Sequence, residues 1–305
     1  MYSLNENMQV FEEILKELQN ITLELKLLRE ELNRIYNRSN EKVISASQEL
    51  NARDDNKYEE QNSLAVYDWL TSRNIVVKNY HEQDSTDKII DELALFIGER
   101  FKNVFRLHEL IRKNLSTGDT FALNLSSSSQ TEVGDSTNLC NKLYSYAFLS
   151  SYRYIKSSKT IYASVQRNGK VINFFTGGWF ERYVYQKISD LLIKSKLKFT
   201  HLANPQIILP SGDDFELDLL FLIENQPLWV ECKTGEYQAY VQKYSNARKI
   251  LNIPKNRSVL IILGISDDIA EKLTELYDIT ITNETKFMDL IRLLVLNIEQ
   301  SCSDL

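Results

Sequence analysis

The chain has 305 residues, 43% of them apolar and 26% charged, which excludes a wholly disordered protein and leaves room for about two domains. Its 36 Lys and Arg stand against 42 Asp and Glu, a net charge of −6. That balance excludes a generally basic nucleic-acid coat, so any contact with nucleic acid must come from a local patch.

Residues 1–61 carry 8 basic and 13 acidic side chains. Within them Phe11, Ile14, Leu18, Ile21, Leu25, Leu28, Leu32 and Ile35 recur at alternating spacings of three and four, the a/d seam of a coiled coil. Leu15, Leu23 and Leu27 widen the stripe, so docking against the chain's own body competes for the same face. The pattern predicts a coiled-coil helix over 1–40 that makes a homodimer, then a polar linker over 41–61. The opening is polar rather than a charged cap with an apolar core, so no signal peptide is expected. No apolar run reaches the ~18 residues of a membrane span. Three scattered cysteines and three histidines exclude a disulfide framework and a histidine-rich metal centre. The expectation is a cytoplasmic protein without membrane contact.

Residues 62–176 are the one positive segment, with 14 basic and 11 acidic side chains. Helices are expected over 64–70, from the N-cap run Asp84–Asp87 through Ile97, and over 103–115, with a short strand at Ile75–Val77. The SSSSQTEVGDS stretch reads as a turn and helix start, because Leu139, Leu143 and Phe148 follow at helical spacing. Thr160–Val165 and Val171–Phe175 flank an Asn168-Gly169 pair, the signature of a hairpin. A helix followed by a hairpin predicts a winged-helix-like α+β domain over 62–176. Between Asp135 and Glu181 there is no carboxylate, while Lys142, Arg153, Lys156, Lys159, Arg167 and Lys170 alternate with five tyrosines. Cations neutralise phosphates and aromatic faces stack on bases, which makes Arg153, Lys156, Lys159, Arg167 and Lys170 candidate nucleic-acid contacts. A solvated basic surface over core tyrosines is the plain alternative.

The last segment reads as a helix from Gly177-Gly178, a strand at Gln206–Leu209, a buried strand Phe215–Ile223 and its hairpin partner Leu228–Lys233. A helix over 237–251 and an apolar strand Ser258–Leu263 follow. Asp218 and Glu231 interrupt strands that are otherwise strongly apolar, where a lone carboxylate is costly. Period two puts Glu231 and Lys233 on one face of their strand, and the short turn brings Asp218 beside them. Hard oxygen ligands of this kind suit Mg²⁺ or Mn²⁺. A cation there lowers the pKa of a bound water and offsets charge on a phosphoryl centre, while Lys233 positions the water or steadies the developing charge. An ordinary salt bridge is the competing reading.

Together Gly177-Gly178-Trp179-Phe180-Glu181, Glu216-Leu217-Asp218 and Glu231-Cys232-Lys233-Thr234-Gly235 resemble the PD-(D/E)xK nuclease superfamily. The likeness is to the nuclease module of CRISPR-associated nucleases activated by cyclic oligoadenylates, and it spans about residues 135–265. It implies an α/β restriction-endonuclease-like domain over 177–305 that uses Mg²⁺ or Mn²⁺. Asp218, Glu231 and the Cys232 main-chain carbonyl would bind the metal, with Glu181 a direct or water-mediated ligand. Asp218, Glu231 and Lys233 would be catalytic, and Lys243 would contact a phosphate. The implied function is endonucleolytic phosphodiester hydrolysis, DNA favoured over RNA, in CRISPR-linked or other antiviral defence. The alternatives are a ribonuclease of the same mechanism, or a catalytically silent nucleic-acid-binding or coiled-coil scaffold protein. One departure is expected: the relatives begin with a Rossmann-like sensor, whereas here a heptad helix and linker precede the middle segment.

The heptad predicts the assembly state, because pairing removes an apolar stripe from water. Light scattering should give the intact chain twice the mass, per chain, of a shortened chain beginning near residue 62. Equal subunit numbers for the two would refute the role of the helix.

Overall fold

The computed structural model describes residues 64–81 and 87–303, all within one compact unit spanning Tyr58–Leu305. The coiled-coil helix and linker expected over 1–61 lie outside the described residues, as does the cap segment before Asp87.

The larger of two sheets is built from strands that alternate between two buried faces. In β7 (Leu219–Ile223), β8 (Gln226–Lys233) and β9 (Ser258–Ile262), nearly every side chain is inside. Leu219, Phe221, Val230, Cys232 and Ile261 face one core, while Leu220, Leu222, Trp229, Leu260 and Ile262 face the other. A sheet covered on both sides needs such apolar runs. Its order is β1 (Val76–His81), β5 (Phe199–Ile208), β7, β8, β9, β10 (Thr280–Asn283), with β6 (Asp214–Glu216) also paired to β5. Pairing is antiparallel from β1 to β8 and parallel from β8 to β10. Helices α1 (Leu64–Thr71), α7 (Val241–Leu251) and α8 (Asp267–Leu276) contribute to the core on one face. On the other face lie α6 (Trp179–Lys194) and α9 (Phe287–Ser303). The architecture is therefore mixed α/β with a large sheet between helices. The segment after Leu263, unassigned from sequence, supplies α8, β10 and α9.

The smaller lobe shares the α6-side core. It holds α2 (Asp87–Glu99), α3 (Phe101–Asn114), α4 (Gln130–Ser145) and a three-stranded antiparallel sheet. That sheet runs β2 (Thr120–Asn124), β4 (Thr160–Val165), β3 (Leu149–Ile155). The helix start read in SSSSQTEVGDS is present: Ser129 caps α4 by accepting a hydrogen bond from the Glu132 N–H. By contrast α1 and β1 pack with the large sheet, β1 lying antiparallel to β5.

The hairpin expected around Asn168-Gly169 is not there. Thr160–Val165 pairs instead with the preceding strand, Ile155 opposite Thr160, around a turn in which Lys159 takes φ +48°. Asn168 caps a short helix, α5 (Gly169–Asn173), its Oδ1 accepting from the Val171 N–H at 2.9 Å. A π-turn over Phe174–Gly178 then runs into α6. The physical reason is spacing. Val171, Phe174 and Phe175 stand at i, i+3 and i+4, and all three are buried, with Phe174 edge-on to Phe148 at 5.2 Å. Asn serves an N-cap as well as it serves a tight turn.

This geometry separates the two readings by mutation. Gly169 sits in α5 with open space around its Cα, so Gly169→Ala should leave the unfolding midpoint unchanged or raise it by the equivalent of about 0.5–1 kcal/mol. Asn168→Ala should cost about 1 kcal/mol as a lost cap. A loss of stability in Gly169→Ala would restore the hairpin.

Candidate active site

Three elements bring the expected acids together where the strands of the large sheet end. Glu181 comes from the first turn of α6 and Asp218 from the break between β6 and β7; Glu231 and Lys233 come from the last residues of β8. The break at Asp218 has a local cause. Opposite it, β5 carries Asn204 at φ +49°, followed by Pro205, which has no N–H to donate. The Asn204 N–H still reaches the Asp218 carbonyl at 2.9 Å, but the Asp218 N–H donates to Glu231 Oε1, also at 2.9 Å. Trp229 Nε1 donates to the same oxygen at 2.9 Å. In return Asp218 Oδ2 accepts from the Cys232 N–H at 2.7 Å. The two carboxylates are thus laced across the sheet, Glu231 by the Asp218 backbone and Asp218 by that of Cys232.

Lys233 completes the set. Its Nζ lies 3.7 Å from Asp218 Oδ2 and 3.9 Å from Glu231 Oε2, and it sits near the faces of Tyr240 and Tyr244. Glu181 is held from the opposite side, its Oε2 accepting from Asn204 Nδ2 at 2.9 Å. Among the described residues neither Asp218 Oδ1 nor Glu181 Oε1 accepts a hydrogen bond. Glu181, Cys232 and Lys233 line a cavity of about 820 Å³, whereas Asp218, 7% exposed, and Glu231, 1% exposed, stand behind its wall. Thr234 ties the end of β8 to the π-turn through its hydroxyl, which donates to the Thr176 carbonyl. Among the described residues no three His, Cys, Asp or Glu side chains form a ready-made metal cage.

The electrostatics follow from burial. Loss of solvent pushes the Glu181 carboxyl up to about 7, and the nearby Asp218 charge adds to the rise against Asn204 and Lys233. Burial likewise raises Asp218, with Lys233 and the Cys232 N–H pulling the other way. Glu231 is raised well above the carboxylate range by burial first and by Asp218 second. Burial alone would lower the Lys233 amine, but Asp218, Glu231 and Glu181 hold it above its ordinary value. The Lys stays charged and the acids resist carrying three negative charges together.

The basic residues are not gathered in the same way. Lys170 lines the cavity; Arg153, Lys156, Lys159 and Arg167 do not. Arg153 lies over the Tyr162 ring on the β3–β4 hairpin, Lys156 and Lys159 sit at its turn, and Arg167 packs beside Gly118. Lys243 lies over the Phe215 ring in a separate depression with Lys78 and Asp214. Three residues that sequence reasoning missed are at the cavity: Arg112, Asn204 and Tyr240. Asn204 carried a signal, since an Asn-Pro pair inside a strand marks an irregularity. Arg112 and Tyr240 carried none, because only the tertiary fold brings them there.

No protein-family model matches the chain, and no curated protein matches it in sequence. Solved structures match in fold. Can2 from Sulfobacillus thermosulfidooxidans, solved in complex with cyclic tetra-adenylate, is 13% identical at a TM-score of 0.50, the match covering 75% of this chain and 61% of that one. Protein VC1899 from Vibrio cholerae is 15% identical at a TM-score of 0.49, covering 80% of this chain and 63% of that one. The chain spans about three-fifths of the length of these structures. What it shares with Can2 is the fold.

A carboxyl raised in the folded state favours the folded protein while protonated. The contribution of Glu181 is therefore complete below the ordinary Glu pKa and lost as pH rises through about 7. In chelator, the unfolding midpoint of the wild type should fall between pH 5 and pH 7.5 more steeply than that of Glu181→Gln. Parallel curves would contradict the described environment of Glu181.

Proposed function

We propose that the protein is a divalent-cation-dependent nuclease hydrolysing phosphodiester bonds, with DNA favoured over RNA. The observation that carries this reading is the laced pair Asp218 and Glu231 with the Lys233 amine 3.7 and 3.9 Å from them at a cavity wall. A structural salt bridge does not call for two carboxylates against one amine, with a third carboxylate raised by burial and then by the Asp218 charge. The donor chemistry fits a hard cation: Asp218 Oδ1 and Glu181 Oε1 are open, and burial makes the uncompensated charges costly.

In this reading Asp218, Glu231 and the Cys232 main-chain carbonyl hold Mg²⁺ or Mn²⁺, with Glu181 as a direct or water-mediated ligand. The bound cation supplies Lewis acidity toward the scissile phosphate and toward the attacking water. Lys233 orients that water or offsets the negative charge that builds on the phosphoryl oxygens. Trp229 and the Asp218 N–H fix one Glu231 oxygen, so the other is presented in one direction. Asn204 does the same for Glu181. Kinship in fold with a protein that binds cyclic tetra-adenylate, together with the motif resemblance, supports a role in CRISPR-linked or other antiviral defence.

Labelled single- and double-stranded DNA and RNA, offered with Mg²⁺ or Mn²⁺, test the proposal. Cleavage should require the cation and stop with chelator. Asp218→Ala and Glu231→Gln should lose both cleavage and the rise in unfolding temperature that Mn²⁺ gives the wild type. Lys233→Ala should keep the Mn²⁺ effect but cut about 10²-fold more slowly, or worse. Wild-type cutting by Asp218→Ala would place the active site elsewhere. Mn²⁺ binding without cleavage of any substrate would leave a silent binder.

A further inference from the structure

The cavity beside Lys233 has two unlike walls. Glu181, Asn204 and Lys233 stand on the large-sheet side, while α3 contributes Arg112 and α5 contributes Lys170. A further cation, Arg182, also lines the cavity, but its guanidinium is bound to Asp87 and to Asp91, the latter at 2.9 Å. It has nothing left to offer a ligand.

Arg112 and Lys170 are in the opposite condition. Among the described residues the one ion pair of Arg112 is a 3.5 Å contact with Glu109 on its own helix, and the side chain is 34% exposed. Lys170 is exposed and has no ion pair among the described residues. Two uncommitted cations thus share one cavity with the acids Glu181, Glu216 and Glu236. Such an arrangement suits a polyanion better than an isolated phosphate. A strand that brings one phosphate to the carboxylates and Lys233 must lay its neighbouring phosphates along the walls. There the acids repel them and only fixed positive charge can hold them. Arg in particular presents a planar fork of donors that matches two phosphate oxygens.

We infer that Arg112 and Lys170 form a phosphate-binding subsite for the nucleic-acid strand next to its scissile phosphate. The inference rests on the nuclease reading and adds the path of the substrate. The strand lies in the cleft that Arg112 and Lys170 share with Asn204 of β5 and the end of β8, not along the β3–β4 hairpin whose Arg153, Lys156 and Lys159 are outside the cavity.

The test is binding of the full chain to a fluorescein-labelled oligonucleotide in chelator, so that nothing is cut, across 50–200 mM NaCl. Arg112→Gln and Lys170→Gln should each flatten the slope of log K against log salt by about 0.7–0.9. Over that range each lost contact changes the salt sensitivity of affinity about threefold. Arg112→Lys keeps the charge and should keep the slope. Unfolding midpoints and the Mn²⁺-induced rise should stay at wild-type values in all three, since neither residue holds the cation. Lys170→Gln, on an exposed side chain, remains informative if Arg112→Gln folds poorly. The inference is overturned if the double Arg112→Gln, Lys170→Gln protein keeps the wild-type slope. It is equally overturned if Lys156→Gln with Lys159→Gln flattens the slope instead. Either result beside Asp218-dependent cleavage leaves the nuclease reading intact. A wild type that neither binds nor cuts any oligonucleotide removes both.

Discussion

Burial of the Glu231 carboxylate is the constraint around which this protein is organised. An ionised group with 1% of its surface exposed loses most of its hydration, a cost of several kcal/mol unless charge and hydrogen bonds replace the water. The replacements come from three directions: the indole N–H of Trp229 two residues back, the backbone N–H of Asp218 on the next strand, and the amine of Lys233 two residues on. The second is open to Glu231 because the β5 ladder is irregular there. Asn204 takes a left-handed conformation and the Pro205 carbonyl accepts from the Leu217 N–H, while the Asp218 N–H goes to Glu231. A regular strand through residues 204–205 would close the ladder and strand the carboxylate. The irregularity in β5 and the acid cluster are one feature.

The opposite wall depends on a different force. Arg112 lies one turn beyond His108, which sits among Phe101, Phe175 and Trp179 with neither ring nitrogen hydrogen-bonded among the described residues. Burial, and then the charge of Arg112, lower the His108 pKa to about 3, so the ring stays neutral and behaves as one more aromatic. Trp179 stacks on Phe101 at 5.1 Å and opens α6, the helix that carries Glu181 two residues later. The same aromatic cluster therefore anchors α3, which carries the cation wall, and α6, which carries one acid.

How far this was legible in the sequence depended on whether each signal was local. Asp218, Glu231 and Lys233 stood out because charges interrupt apolar strands, and that anomaly needs no tertiary knowledge. The same logic shortened β5, where the strand read at Gln206–Leu209 is the end of one that runs from Phe199 to Ile208. It also misjudged Asn168-Gly169, since a turn and an N-cap use the same side chain, and the burial of Val171, Phe174 and Phe175 decided between them. Arg112 is one of several polar residues on an amphipathic helix. Nothing in its neighbours along the chain marks it, and only the cavity that the fold forms brings it near Asn204 and Lys233.

Charge distribution ties these elements to the function proposed. A chain of net charge −6 repels a polyanion at long range, and at physiological ionic strength that repulsion is screened beyond about 8 Å. Inside a partly enclosed cavity screening is weaker, so the sign of the nearest groups decides whether a phosphate enters. Glu181, Asp218 and Glu231 alone would exclude it. Lys233 offsets part of their charge from within the cluster, and Arg112 and Lys170 supply the remainder from across the cavity. A divalent cation shared by the acids would offset more of their charge, so cation binding and substrate entry would be favourable together. In the proposed nuclease the cation would thus strengthen a hold on the strand that Arg112 and Lys170 already provide without it.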